Sequence, residues 1–131
     1  YIYTMSHFSC ITTKFYNARV LKKSLSDLDI TWVASNKKAQ DYKTKMYELE
    51  IIIRQESKYD ISFRWNGNEY ELVTDLMFWS QDFSVVKFLN RISQRYAYNL
   101  LMETSETKGI QLTQIETSED GTIQVMLKSF L

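Results

Sequence analysis

Glycine occurs three times in this chain of 131 residues and proline never. Places where the backbone can reverse sharply with positive φ are therefore few, and each can be read in advance. Gly67 follows Asn66 between two alternating runs, Ile61 to Trp65 and Glu69 to Thr74. Gly121 closes Glu119-Asp120-Gly121 between Ile110 to Thr117 and Thr122 to Phe130. Both patterns predict β-hairpins. A two-residue type I′ loop at Asn66-Gly67 sets Arg64 opposite Glu69, Phe63 opposite Tyr70, Ser62 opposite Glu71 and Ile61 opposite Leu72, so that like faces like at every rung. In the second hairpin a two-residue Asp-Gly loop would oppose Glu116 to Val125. A three-residue loop, Glu119 to Gly121, opposes Thr117 to Ile123 and Ile115 to Val125 and is preferred, with Gly121 in the left-handed position of a G1 bulge.

Two stretches carry helical periodicity. From Asn17, a good N-cap, to Asp29, Leu21, Leu25 and Leu28 recur on one face while Lys22, Lys23, Ser26 and Asp27 lie elsewhere. A longer stretch from about Ser84 to Lys108 aligns Val85, Phe88, Leu89, Ile92, Tyr96 and Leu100, with Gly109 placed as its C′ residue. Strands are expected at residues 6 to 13, Thr31 to Ala34 and Tyr47 to Arg54. Asn36 to Lys45 is polar, Lys-rich and without periodicity, a surface loop expected to be the most mobile part. Leu76 to Phe83 is an aromatic connection. The resulting order, β-α-β-β-β-β-α-β-β, predicts an α+β fold: a largely antiparallel sheet with two helices packed on one face.

At this length the chain forms one domain, residues 1–131, with a single core. Its 44% apolar content fills that core, and disorder is not expected over most of the chain. Sixteen basic residues balance sixteen acidic ones, so no global field gathers a polyanion, and nucleic acid is not the expected partner. No apolar run approaches the ~20 residues that cross a bilayer. A lone Cys10 cannot close an internal disulfide and points to a reducing compartment. The first residues carry neither a secretory nor an import pattern, so the expectation is either that the protein is made where it works or that a leader precedes these residues.

The three glycines are too scattered for a phosphate-binding loop, and one histidine cannot supply a hydrolytic triad or a zinc protease site. Neither metal nor cofactor is expected. His7 and Cys10 differ in strand parity and so point to opposite faces; His7 is read first as a structural histidine and Cys10 as a small buried apolar group. One charge pattern has direction: Lys87, Arg91 and Arg95 recur at i, i+4 and i+8 beside Tyr98. A solvated helix face explains it, and so does a docking strip for an acidic partner surface or, as the weaker version without an RRM-type consensus or GXXG loop, for RNA. Trp65, Trp79, Phe78 and Tyr42 lie near turns, where aromatics either plug the end of a core or anchor an interface. For an enzyme or cofactor-binding protein, the pocket candidates are His7, Arg64, Asp75 and Arg95. Carboxylate pairs such as Asp75 with Asp82 are not singled out by any spacing.

Several short runs give the chain a resemblance. Met5-Ser6-His7-Phe8-Ser9, Tyr59-Asp60-Ile61, Gln94-Arg95-Tyr96-Ala97-Tyr98 and Glu119-Asp120-Gly121-Thr122-Ile123 resemble the hypothetical chloroplast reading frame thirty-five family of algal plastids and cyanobacteria. The likeness spans Met5 to Phe130 and makes Tyr1 to Thr4 an extension. Asp29 stands where that family commonly has a glycine. Phe, Tyr, Met, Ile, Asn and Lys far outnumber Gly, Ala, Arg and Pro, the bias of an AT-rich genome such as a plastid's. The family has no established reaction, so the resemblance implies a setting and no catalytic residues: the plastid stroma or the stromal face of the thylakoid, or a cyanobacterial cytoplasm. The expected function is a non-catalytic accessory or assembly protein that binds a larger photosynthetic complex from its soluble side. The contrasting expectation is a small enzyme with a pocket between sheet and helix. A homodimer packed through the stripe around Tyr96 remains open at this point.

Overall fold

The computed structural model describes residues 2–5, 8–35, 50–108, 110–119 and 122–129. Its strands are β1 (Ile2–Met5), β2 (Phe8–Thr12), β3 (Val33–Ser35), β4 (Glu50–Ile53), β5 (Ile61–Trp65), β6 (Tyr70–Thr74), β7 (Ile110–Thr117) and β8 (Ile123–Ser129), with helices α1 (Ala18–Asp27) and α2 (Val85–Lys108). A six-stranded antiparallel sheet has the order β1-β2-β6-β5-β4-β3, and β7 with β8 forms a separate two-stranded sheet. The fold is α+β with the expected order of elements, extended by one strand at the start. Ile2 to Thr4, read as an extension, belong to that strand, which pairs Ile2 with Ile11 and Met5 with Phe8.

The core faces the helices. Ile11, Ile51, Ile53, Ile61, Phe63, Tyr70 and Leu72 come from the sheet, Val20, Leu21 and Leu25 from α1, and Phe88, Ile92 and Tyr96 from α2. Both helical stripes read from the sequence therefore face inward, and Tyr96 packs within its own chain, against Phe15 at 4.8 Å between ring centroids. On the opposite sheet face the register aligns Cys10, Val73 and Ser62, all buried. Burying apolar area on the helix side at about 25 cal/mol per Å² is the main stabilising term.

Asn17 caps α1 as expected, its Oδ1 accepting from the Val20 N–H at 3.1 Å. At the other end, the Ile30 N–H donates to the Leu25 carbonyl at 2.9 Å and the Asp29 N–H to the Ser26 carbonyl at 3.0 Å. These are the two bonds of a Schellman motif, with Asp29 in the left-handed position at φ 59°. Aspartate does there what glycine does at lower backbone cost.

The hairpin joining β5 to β6 departs from the expected register. Trp65 pairs with Tyr70, Arg64 with Glu71, Phe63 with Leu72 and Ser62 with Val73, a shift of two residues. The loop is not type I′: Gly67 has φ 107°, while Asn66 is absent from the positive-φ residues. Instead the Asn66 side chain accepts from the N–H groups of Asn68 and Glu69, each at 2.9 Å, and its own N–H donates to the Glu69 carbonyl at 3.0 Å. The side chain thus replaces a backbone turn. A shift of two keeps every residue on its face, so the alternation satisfied both registers and could not choose between them.

The last hairpin has the expected register, Thr117 opposite Ile123 and Ile115 opposite Val125, with an irregularity between Leu112 and Gln114 that the sequence did not announce. Gly109 and the proposed bulge at Gly121 lie outside the described residues, as do the expected loop at 36–45, residues 47–49 of the third expected strand, His7 and Tyr42. The strand expected at Thr31 to Ala34 begins instead at Val33, because Trp32 turns to α1: its Nε1–H donates to the Ser26 hydroxyl at 2.9 Å and Lys22 lies over its ring. The first strand stops at Thr12, since the Thr13 hydroxyl donates to the Tyr70 carbonyl and accepts from the Phe15 N–H.

Candidate functional site

The basic line on α2 divides into two parts. Lys87 Nζ lies 5.2 Å and Arg91 Cζ 4.5 Å from the centre of the Phe83 ring, so one aromatic ring holds two cations spaced one helical turn apart. Neither cation has an ion-pair partner among the described residues. Arg95 is different. Its guanidinium covers the Tyr98 ring at 4.7 Å while its Nε–H donates to Asp27 Oδ2 at 3.0 Å.

Asp27 is where the two helices join. It accepts from Arg95, from Lys23 at 3.0 Å and from Asn99 Nδ2 at 3.0 Å. Asn99, buried on α2, also donates to the Ser24 hydroxyl at 3.0 Å, which in turn donates to the Val20 carbonyl. Partial burial pushes the Asp27 carboxyl up, but the bonds from Asn99, Lys23 and Arg95, with the Arg95 charge, outweigh it and hold the group below the ordinary carboxylate range. Arg19 pairs with Glu103 further along the same seam. Sequence periodicity had left Asp27 on the outer face of α1, and Asn99 carried no signal beyond its place in a helix.

Tyr96 ties α2 to the start of α1. Its hydroxyl oxygen accepts from the N–H groups of Tyr16 at 3.2 Å and Asn17 at 3.1 Å. Burial raises the phenol's pKa by more than those two bonds lower it, so the group stays neutral near physiological pH. An open, largely apolar groove of about 630 Å³ runs between the end of β2 and α2, lined in part by Phe15, Leu89, Tyr96 and Leu100.

The aromatic candidates separate as well. Trp65 packs edge-on against Tyr70 at 5.1 Å, and Trp79 edge-on against Phe88 at 5.1 Å with its Nε1–H donating to the Phe83 carbonyl at 2.7 Å. Both are partly buried against the core. Phe78 stacks on Tyr59 at 3.8 Å, beside Leu76 and the 84% exposed Met77 of a short 3₁₀ turn, Leu76–Phe78. Buried Gln55, which the sequence did not single out, fixes this corner. Its Oε1 accepts from the Ser80 N–H at 2.8 Å and from Gln81 Nε2 at 3.1 Å, and its Nε2 donates to the Tyr59 carbonyl at 2.7 Å.

The described pocket candidates do not converge. Arg64 lies on the sheet face away from the helices and is paired with Glu50 at 3.1 Å. Asp75 caps the 3₁₀ turn through the Met77 N–H at 3.0 Å, and Arg95 sits at the helix seam. A smaller cleft of about 200 Å³ does open where the end of α1 meets the start of α2, lined by Leu28, Asp29, Ile30, Gln81, Asp82, Phe83, Phe88 and Arg91. No helix among the described residues is long and apolar enough to cross a membrane.

A family model described as a protein of unknown function (DUF1257) matches residues 24–126. A relative called "Uncharacterized protein ycf35" from Guillardia theta is 42% identical over 124 residues, covering 95% of this chain and 97% of the relative. Proteins of the same name from Trieres chinensis and Pyropia yezoensis are 40% and 33% identical, covering 89% and 95% of this chain and 92% and 97% of their own lengths. No solved structure matches. The chain belongs to the DUF1257 family of unknown function, with the ycf35 proteins that its sequence motifs resemble.

Proposed function

We propose that this chain is a non-catalytic accessory or assembly protein that binds a larger photosynthetic complex at the stromal face of the thylakoid. The observation that carries the reading is the pair of cations, Lys87 and Arg91, laid over the Phe83 ring without an ion-pair partner among the described residues. Such cations are held in place before a partner arrives, so an acidic surface can pair with them at a reduced cost in side-chain entropy. Leu76 and Met77, exposed on the corner clasped by Gln55, supply apolar contact of the kind that anchors interfaces. The membership in a ycf35 family supports the plastid setting.

Native fractionation of plastid extract, with crosslinking of the tagged chain, tests the proposal. Wild type is expected to migrate with a membrane-bound complex, and the Lys87→Glu/Arg91→Glu double variant to migrate freely. Free migration of wild type removes the reading. Equal retention of both proteins removes Lys87 and Arg91 as the docking strip.

A further inference from the structure

The cleft between the end of α1 and the start of α2 carries charges of both signs that do not satisfy one another. Asp29 and Asp82 supply two carboxylates and Arg91 a guanidinium. None of the three has an ion-pair partner among the described residues, although all line the same cleft. A simple anion placed there would meet two carboxylates, and a simple cation would meet the guanidinium. A ligand bearing both charges meets each wall with the complementary sign.

The backbone agrees with that polarity. Asp29 directly follows the C-terminal end of α1, where the helix dipole is negative and favours an ammonium group. The backbone that carries Asp29 is fixed by its own N–H bond to the Ser26 carbonyl and the Ile30 N–H bond to the Leu25 carbonyl, and the Arg91 guanidinium lies over the Phe83 ring. Leu28, Ile30 and Phe88 add apolar side chains to the cleft's lining. Its volume of about 200 Å³ equals the share of six or seven waters at about 30 Å³ each, which suits a molecule of about eight heavy atoms.

We propose that this cleft binds a small zwitterionic α-amino acid with a short aliphatic side chain, its ammonium toward Asp29 and Asp82, its carboxylate on Arg91 and its side chain on Leu28, Ile30 and Phe88. Two carboxylates face one guanidinium, so the ammonium is the more strongly held end. The site shares Arg91 with the docking strip, but Lys87 is absent from the cleft and Asp29 lies off α2, so those two residues separate the readings.

Calorimetric titration of the full chain with L-valine and L-leucine tests the site, with valinamide and N-acetylvaline as probes that each lack one charge. At least one free amino acid is expected to bind, and each blocked analogue to bind at least about tenfold more weakly than L-valine. Asp29→Gly and Arg91→Gln are expected to lose binding by a similar factor, and Lys87→Glu to keep it. Asp29→Gly places glycine in a left-handed position, so lost binding in that variant is not a folding failure. Absence of binding by both amino acids up to about 10 mM, or equal binding of N-acetylvaline, overturns the proposal. Fractionation of the Lys87→Glu single variant, which leaves the cleft lining intact, tests the docking reading separately.

Discussion

Arg95 Nε donates to Asp27 Oδ2 at 3.0 Å, which fastens the middle of α2 to the last turn of α1 and takes Arg95 out of the free basic strip. Charge reversal at Arg95 would place a carboxylate beside Asp27 and leave Lys23 as the nearby cation. Arg95→Glu is expected to lower stability by about 1 to 2 kcal/mol, and Arg91→Glu by less than about 0.5 kcal/mol. Urea unfolding of the two purified variants checks this. Equal losses would show that the seam is not held by this pair.

The same carboxylate gives the fold an acid-sensitive component. Asp27 has a lower pKa folded than unfolded, so its contribution is complete above the unfolded carboxylate value and is lost as pH falls through the depressed folded value. Asp27→Asn is expected to be less stable than wild type at neutral pH and to show a shallower loss of stability on the acid side. Parallel acid limbs for the two proteins would assign the sensitivity to another group.

The Tyr96 hydroxyl accepts two backbone N–H groups at the entry to α1. Tyr96→Phe keeps the ring against Phe15 and removes the acceptor, so it should cost about 1 to 3 kcal/mol. Amide hydrogen exchange locates the effect: Tyr16 and Asn17 should lose protection before the centre of α2 does. Unchanged exchange at those two amides would mean that water replaces the phenol without penalty.

At Asp29, φ of 59° costs an L-residue energy that glycine avoids. Asp29→Gly should raise stability by up to about 1 kcal/mol, read as a shift of the unfolding midpoint at constant slope. A destabilised variant would show that the Asp29 side chain contributes more to the fold than its backbone position costs.

Gln55 clasps the turn at 55–59 to the connection that carries Met77. Gln55→Ala leaves the Ser80 N–H without its acceptor and should cost about 1 to 3 kcal/mol. Limited proteolysis should then cut near Met77 faster than in wild type. Cleavage at an unchanged rate would show that the stack of Phe78 on Tyr59 is sufficient to hold the corner.

The sequence by itself determined the elements that depend on local periodicity and local chemistry. The stripes of α1 and α2, the Asn17 cap and the register of β7 with β8 were legible because side chains three, four or two residues apart specify them. Three other features became visible only in the folded structure. The β5 to β6 register turned on Asn66 capping its own loop, since residues two apart share a face and alternation leaves that choice open. Strand order, with the connection through α1 carrying β2 to β3 on the far side of β6, β5 and β4, depends on contacts between distant segments that no local pattern encodes. The seam of Asp27, Arg95 and Asn99 and the cleft of Asp29, Asp82 and Arg91 arise where two helices meet. Each polar side chain there looks like ordinary surface until the second helix supplies its partner, or withholds it.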